Sequence, residues 1–283
     1  MAPAPPPVRS KGVGGVRPRQ ASPRALAIAG GVAALVVIAI VLGVVLSRGG
    51  GTSGGGSVVS SSDISGLPPT GSATSSVALA GAADANALFA KIPQLGLVLG
   101  KKTAPVEMEM FIDVQCPICQ AFEVNDLSTI VKQEIQNGKV QLHLQPWAFL
   151  GGQGSQSFSG RLGLIAASFQ NKGYEYAKVL YDNQGTEESG WLTGKEMAAI
   201  AASVNGLEMH KWLVDVNSSA AKSIASDVDK LANAVKVNGT PTILVGRTGS
   251  QLHNVESAQE IALNRAPTLQ ETLHTIGAAL KQG

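Results

Sequence analysis

The sequence is poor in several things at once. Its 283 residues include two cysteines, 4% aromatic and 15% charged residues, and no acidic residue before Asp63. Two cysteines exclude a disulfide-stapled mini-protein and a closed four-cysteine zinc site. The formal net charge is only +2, and it conceals an asymmetry. Arg9, Lys11, Arg17, Arg19 and Arg24 all precede the first long apolar run; without them the chain holds 17 basic and 20 acidic residues. A net acidic bulk excludes nucleic-acid binding driven by charge. The hydrophobic fraction is 44% and the mean hydropathy +0.15, which fits a soluble domain plus a membrane segment rather than a disordered chain.

The apolar residues are concentrated first in Ala25–Leu46, 22 residues with no charged or strongly polar side chain. At 1.5 Å per residue a helix of that length spans about 33 Å, enough for a hydrocarbon core of about 30 Å. A buried core helix would show a polar stripe, and the apolar core of a cleaved signal peptide is shorter. The reading is therefore a transmembrane helix over 25–46. The cluster of basic residues before it puts a disordered tail, 1–24, in the cytoplasm and the rest outside. Residues 47–83 are rich in Gly and Ser and read as a flexible linker. GGGTSGGG at 49–56 is no phosphate loop, because no Lys-Ser/Thr pair and no helix follow.

The outer domain, 84–283, alternates strand and helix signals. A short helix is expected over Asp84–Ala90 and strands over Leu97–Leu99, Val106–Ile112 and Val140–Leu144. Phe111-Ile112 breaks the alternation of the second strand, as in a central strand buried on both faces. Helical periodicity runs from Cys116 to Ile135. Gly151–Gly160 reads as a loop. Further helices follow to Val237, one opened by Thr193 and Glu196 as a capping box. Thr242–Val245 and Gln251–Asn254 form a hairpin, and Thr268 with Glu271 caps a last helix. The pattern is α/β, with a helical insertion at about 155–236. Trp147, Trp191 and Trp212 read as core or loop anchors.

Both cysteines sit in one C-x-x-C, Cys116-Pro117-Ile118-Cys119, at a strand-to-helix junction. Residues i and i+3 share a helical face, so the sulfurs come within bonding reach. Cys116 falls at the helix N-terminus, where unpaired N–H groups and the dipole favour a thiolate. Pro117 suits the first turn. Cys119, one turn in, is the more buried resolving thiol. Three other readings compete: a structural disulfide, half a metal site, and two core cysteines. A four-residue ring gives little entropic stabilisation. His143, His210, His253 and His274 are scattered, with no H-x₃₋₅-H pair, so no metal is assigned. No Ser-His-Asp or paired-carboxylate arrangement stands out.

The segment Phe111-Ile112-Asp113-Val114-Gln115-Cys116-Pro117-Ile118-Cys119 resembles the active site of DsbA-type thioredoxin-fold disulfide oxidoreductases. It is most similar to the membrane-anchored or secreted bacterial branch with the pattern F-x-D-x-x-C-P-x-C. Downstream, Gly239-Thr240-Pro241-Thr242 resembles the family's G-T-P-T loop. The resemblance implies a thioredoxin-like fold with a helical insertion and a redox disulfide between Cys116 and Cys119. It also implies a cis Pro241 packed against that pair, with the backbone of Thr240 free to bond an extended substrate. With Pro117 and Ile118, these residues make up the active-site loops. The implied substrates are unfolded secreted or envelope proteins bearing cysteines, re-oxidation comes from a quinone-linked membrane partner, and no cofactor or metal is needed.

Two departures matter. The family's buried acid, six residues before the first cysteine, is Met110 here, and Glu109 faces the other way in a strand. Asp113 is left as a candidate proton relay or a capping carboxylate. The second departure is Ile118, which stands where the most oxidising members carry His, so the pair should be less oxidising. The expected function is an extracytoplasmic oxidase. The alternatives are a reductase or isomerase of the same fold and a non-catalytic client-binding module.

Overall fold

The computed structural model describes residues 57–257 and 265–282. The tail assigned to 1–24, the transmembrane helix assigned to 25–46 and the first part of the linker lie outside the described residues. Among the described residues no helix is long and apolar enough to cross a membrane.

Elements follow in the order α1 (Ala82–Phe89), β1 (Gln94–Leu95), β2 (Val98–Leu99), β3 (Val106–Ile112), α2 (Pro117–Asn125), α3 (Leu127–Ile130), a π-helical turn (Val131–Ile135) and β4 (Val140–Pro146). Helices α4 (Gln156–Ser168), α5 (Gly173–Asp182), α6 (Gly194–Ala202), α7 (Met209–Val216) and α8 (Ser219–Ala234) come next. The chain closes with β5 (Thr242–Arg247), β6 (His253–Asn254) and α9 (Leu269–Leu280). The six strands form one sheet, ordered β1-β2-β4-β3-β5-β6. β3 and β4 are parallel and the other pairs antiparallel. This is a thioredoxin-like α/β fold with a helical block between β4 and β5.

β3 lies between β4 and β5, and its two faces enter different cores. Val106, Met108, Met110 and Ile112 join the main core, whereas Phe111 packs with Leu231, Ala232 and Leu244. That placement explains why Phe111-Ile112 breaks the alternation: both faces are covered at this end of the strand.

Three expectations are corrected. The helical run from Cys116 breaks at Asp126 and resumes as a short α-helix and a π-helical turn. The loop over Gly151–Gly160 is half helix, because Ser155 caps α4 by accepting a hydrogen bond from the Phe158 N–H at 3.0 Å. Gly160 sits inside that helix where a Cβ would come within 2.4 Å of Leu192 Cδ2 and 2.7 Å of Val114 Cγ2. Close packing, not a turn, calls for glycine here.

The largest correction concerns the linker. From Ser57 onward the chain assigned to it is packed on the helical block. Asn217 Oδ1 accepts from the Val58 and Val59 N–H groups, its amide donates to Val59 O, and Val59 is buried. Gly71 N–H donates to Leu207 O and Ser72 N–H to Ala202 O, both at 2.8 Å. Asn205 and Ser203 side chains accept from the Ala73 and Leu79 N–H groups. A segment of small polar residues has few side chains to bury, so it reads as a tether. Its backbone donors are satisfied by partners more than a hundred residues away, which composition does not reveal.

Candidate functional site

β3 ends at Ile112, and the next turn delivers Cys116 to the N-cap of α2. Pro117 follows at the first helical position, where its missing N–H leaves no bond unmade. Cys116 Sγ takes the role of a capping acceptor, receiving the Cys119 N–H at 3.5 Å. Cys116 is 6% exposed and Cys119 fully buried.

Their acidities diverge. The Cys116 thiol is lowered to about 6, chiefly by its hydrogen bond with the Cys119 thiol, against the opposing effect of burial. The Cys119 and Ile118 N–H groups and the Thr240 side chain lower it further. Burial, and then the Cys116 sulfur, push the Cys119 thiol well above the ordinary range. One sulfur is a thiolate at neutral pH and its neighbour is the proton holder.

The structure brings Thr240 and Pro241 to this pair across 124 residues. The Cys116 S–H donates to Thr240 O at 3.3 Å, and the Thr240–Pro241 peptide is cis. With a protonated Cys116, then, the Thr240 carbonyl is engaged by the thiol itself rather than free. An open groove passes over the sulfur, lined among others by Ile118, Phe149, Leu150 and Pro241. Ile118 and Phe149 are 45% and 43% exposed, two large apolar side chains left in water beside the thiol.

Asp113 is 1% exposed, and its carboxylate is fully engaged in shaping the loop. Oδ1 accepts from the Gln115 N–H at 2.8 Å and the Ser157 hydroxyl at 2.7 Å, and Oδ2 accepts from the Leu150 N–H at 2.8 Å. Among the described residues no hydrogen bond joins this carboxylate to either sulfur.

Tyr181, Gln184 and Glu123 went unread in the sequence, while Trp191 is the loop anchor expected of it. Tyr181, on α5, donates to Asp113 O at 2.9 Å. Gln184 donates to Val114 O, and Trp191 Nε1 donates to Gln115 Oε1 at 2.9 Å. These contacts tie the active-site turn to the helical block, and no local spacing announces them. Glu123, one turn beyond Cys119 on the same helix, is buried and pushed up to about 8 by burial, with Lys178 opposing.

The comparisons agree with this geometry. The family model described as thioredoxin matches residues 94–263. A probable disulfide bond formation protein D of Bacillus cereus is 28% identical over 163 residues, 56% of this chain and 73% of that protein. Disulfide bond formation protein D of Bacillus subtilis is 26% identical over 151 residues, 52% and 66% of the two chains. Among solved structures, oxidised BdbD from Bacillus subtilis superposes with a TM-score of 0.55 at 21% identity, covering 66% of this chain and 93% of its own. A thioredoxin-like oxidoreductase from Silicibacter pomeroyi gives 0.50 at 20% identity, covering 70% and 98%. At such identities the structural likeness speaks for the fold.

Proposed function

Since this chain belongs to the thioredoxin family, and within it is a thiol–disulfide oxidoreductase of DsbA type, we propose that it works outside the cytoplasm as an oxidase, introducing disulfides into secreted or envelope proteins. The observation that supports this reading is the split between the two thiols. A Cys116 lowered to about 6 is mostly thiolate at pH 7 and stabilises the reduced protein, which makes the disulfide form the better oxidant.

In the forward reaction a client thiolate attacks Sγ of Cys116 in the Cys116–Cys119 disulfide. A mixed disulfide forms, and Cys119 leaves as a thiolate that takes up a proton, as its burial demands. A second client thiolate then attacks the client sulfur of the mixed disulfide. The client departs oxidised and Cys116 departs as the thiolate, so two electrons have passed to the pair. Ile118 and Phe149 offer apolar contact to an unfolded segment, and the loop at Thr240 and Pro241 offers backbone contact. Asp113 holds the turn through its three donors; a proton-relay role would require the carboxylate to leave them. Re-oxidation by a quinone-linked membrane partner would complete the cycle, with the chain anchored through 25–46.

The reduction potential of the protein tests the direction. A value nearer about −120 mV than about −270 mV supports an oxidase, and one at or below about −270 mV overturns it in favour of a reductase.

A further inference from the structure

A second polar cluster lies under the sheet, and the thiol chemistry makes no use of it. Glu107 and Glu109 alternate along β3 on the face opposite Met108 and Met110. The parallel register of β3 and β4 sets Glu109 level with His143. One ligand atom from each of Glu107, Glu109 and His143 lies within 4.8 Å of the others. Glu109 and His143 are 3% and 5% exposed.

The imidazole shows which way it is used. Its Nε2 lies 3.1 Å from Gln141 Oε1, so one ring nitrogen is held by a side-chain partner on the same strand. Nδ1 faces the cluster, 3.5 Å from Glu107 Oε1, with no hydrogen-bond partner among the described residues. A ring held through one nitrogen while the other is bare is the arrangement of a metal-ligating histidine with its outer-shell partner. Three ligand groups converge in a largely buried place, a costly arrangement unless a cation or a proton sits among them.

We propose that Glu107, Glu109 and His143 bind one divalent transition-metal cation, clamping β3 to β4. Bonds of about 2.0–2.2 Å to such an ion put its ligand atoms roughly 3.3–3.6 Å apart in tetrahedral geometry. The His143–Glu107 pair already meets that spacing, and the Glu109 ligand atom lies within 4.8 Å of both. A nitrogen ligand beside two carboxylates suits Zn²⁺ or a neighbouring transition ion better than Ca²⁺ or Mg²⁺, which take oxygen ligands. Water takes the fourth position, entering past Glu107, whose side chain is 15% exposed. The competing occupant is a single proton on Glu109.

The test uses the full chain in detergent micelles with Cys116→Ala and Cys119→Ala, so that the thiols bind no metal. Zn²⁺ is titrated against a chromophoric chelator at pH 7.5, and the thermal midpoint is followed with and without Zn²⁺. One equivalent should bind and raise the midpoint, and His143→Gln or Glu109→Gln should weaken binding at least tenfold. Gln141→Ala, which keeps all three ligands but frees the ring, should weaken it about 10–100-fold, and it serves if the ligand variants do not fold. Absence of stoichiometric binding overturns the proposal, as does equal affinity in these variants. A midpoint that moves with pH but not with Zn²⁺ assigns the place to the proton instead.

Discussion

Replacing Asp113 by Asn separates a loop anchor from a proton relay. The carboxylate has two acceptor oxygens and three donors upon them, all at 2.7–2.8 Å; Gln115 and Ser157 are buried with it and Leu150 is half-buried. An amide has one acceptor oxygen and one donor nitrogen. If its oxygen takes the Oδ1 place, it keeps the Gln115 N–H and the Ser157 hydroxyl, and its NH₂ confronts the Leu150 N–H. If it is turned over, it keeps Leu150 and confronts Gln115, while the Ser157 hydroxyl rotates to accept. Either way one buried backbone N–H is orphaned, at a cost of about 1–3 kcal/mol, and the surviving bonds lose their charge assistance, roughly another 1–2 kcal/mol. Relief from burying a charge offsets part of this, leaving about 2–4 kcal/mol. For a domain of this size that lowers the melting temperature by roughly 5–15 °C. The assay is thermal unfolding of the reduced protein by circular dichroism, paired with the pH profile of mixed-disulfide release. An anchor predicts the stability loss with the midpoint of the release profile unmoved. A melting temperature within about 2 °C of wild type, or a release profile displaced in pH, would refute the reasoning.

The remaining predictions concern acidity and packing. Alkylation of Cys116 should show its half-maximal rate near pH 6, against about 8.5 for a free cysteine; a midpoint above 8 contradicts the assigned hydrogen bonds. Because the folded value is depressed, Cys116 contributes stability to the reduced protein that is fully present above the unfolded value of about 8.5. That contribution is lost as the pH falls through 6, so urea midpoints of the reduced protein should fall over this window relative to Cys116→Ser. Gly160→Ala should destabilise by about 1–3 kcal/mol, since its Cβ drives into Leu192 and Val114; an unchanged urea midpoint would mean that both side chains move aside freely.

How much of this was legible in the sequence depends on how far apart the interacting residues lie. The strand over Val106–Ile112 and the cap at Thr268 and Glu271 are local patterns, and both are found where the periodicity and the capping box put them. Cys116 at the N-cap followed from the spacing of one motif. The loop at Thr240 and Pro241 needed a second motif and a family resemblance, because 124 residues separate it from the sulfur it touches. Tyr181 and Gln184 were out of reach: one lies at the end of α5 and the other in the loop after it, and both bond backbone carbonyls of the turn across a long stretch of chain, whereas the anchor expected at Trp191 is found, bonded to Gln115. The cluster of Glu107, Glu109 and His143 was hidden for the same reason. A search for H-x₃₋₅-H follows helical spacing, whereas these ligands meet across a parallel strand pair.

The packed stretch from Ser57 shortens the leash. If 25–46 is the anchor, only residues 47–56 stand between it and the folded body, and ten residues at full stretch reach about 33–36 Å, whatever path they take. A tether running to residue 83 would have reached more than three times as far. On the proposed topology Ser57, where the folded body begins, would stay within the shorter reach of the membrane face. The folded body would then meet clients as they emerge across that membrane, and the same confinement would keep Cys116 near the proposed membrane-embedded redox partner. Lengthening the leash would enlarge the volume in which clients are met and dilute the encounter with that partner.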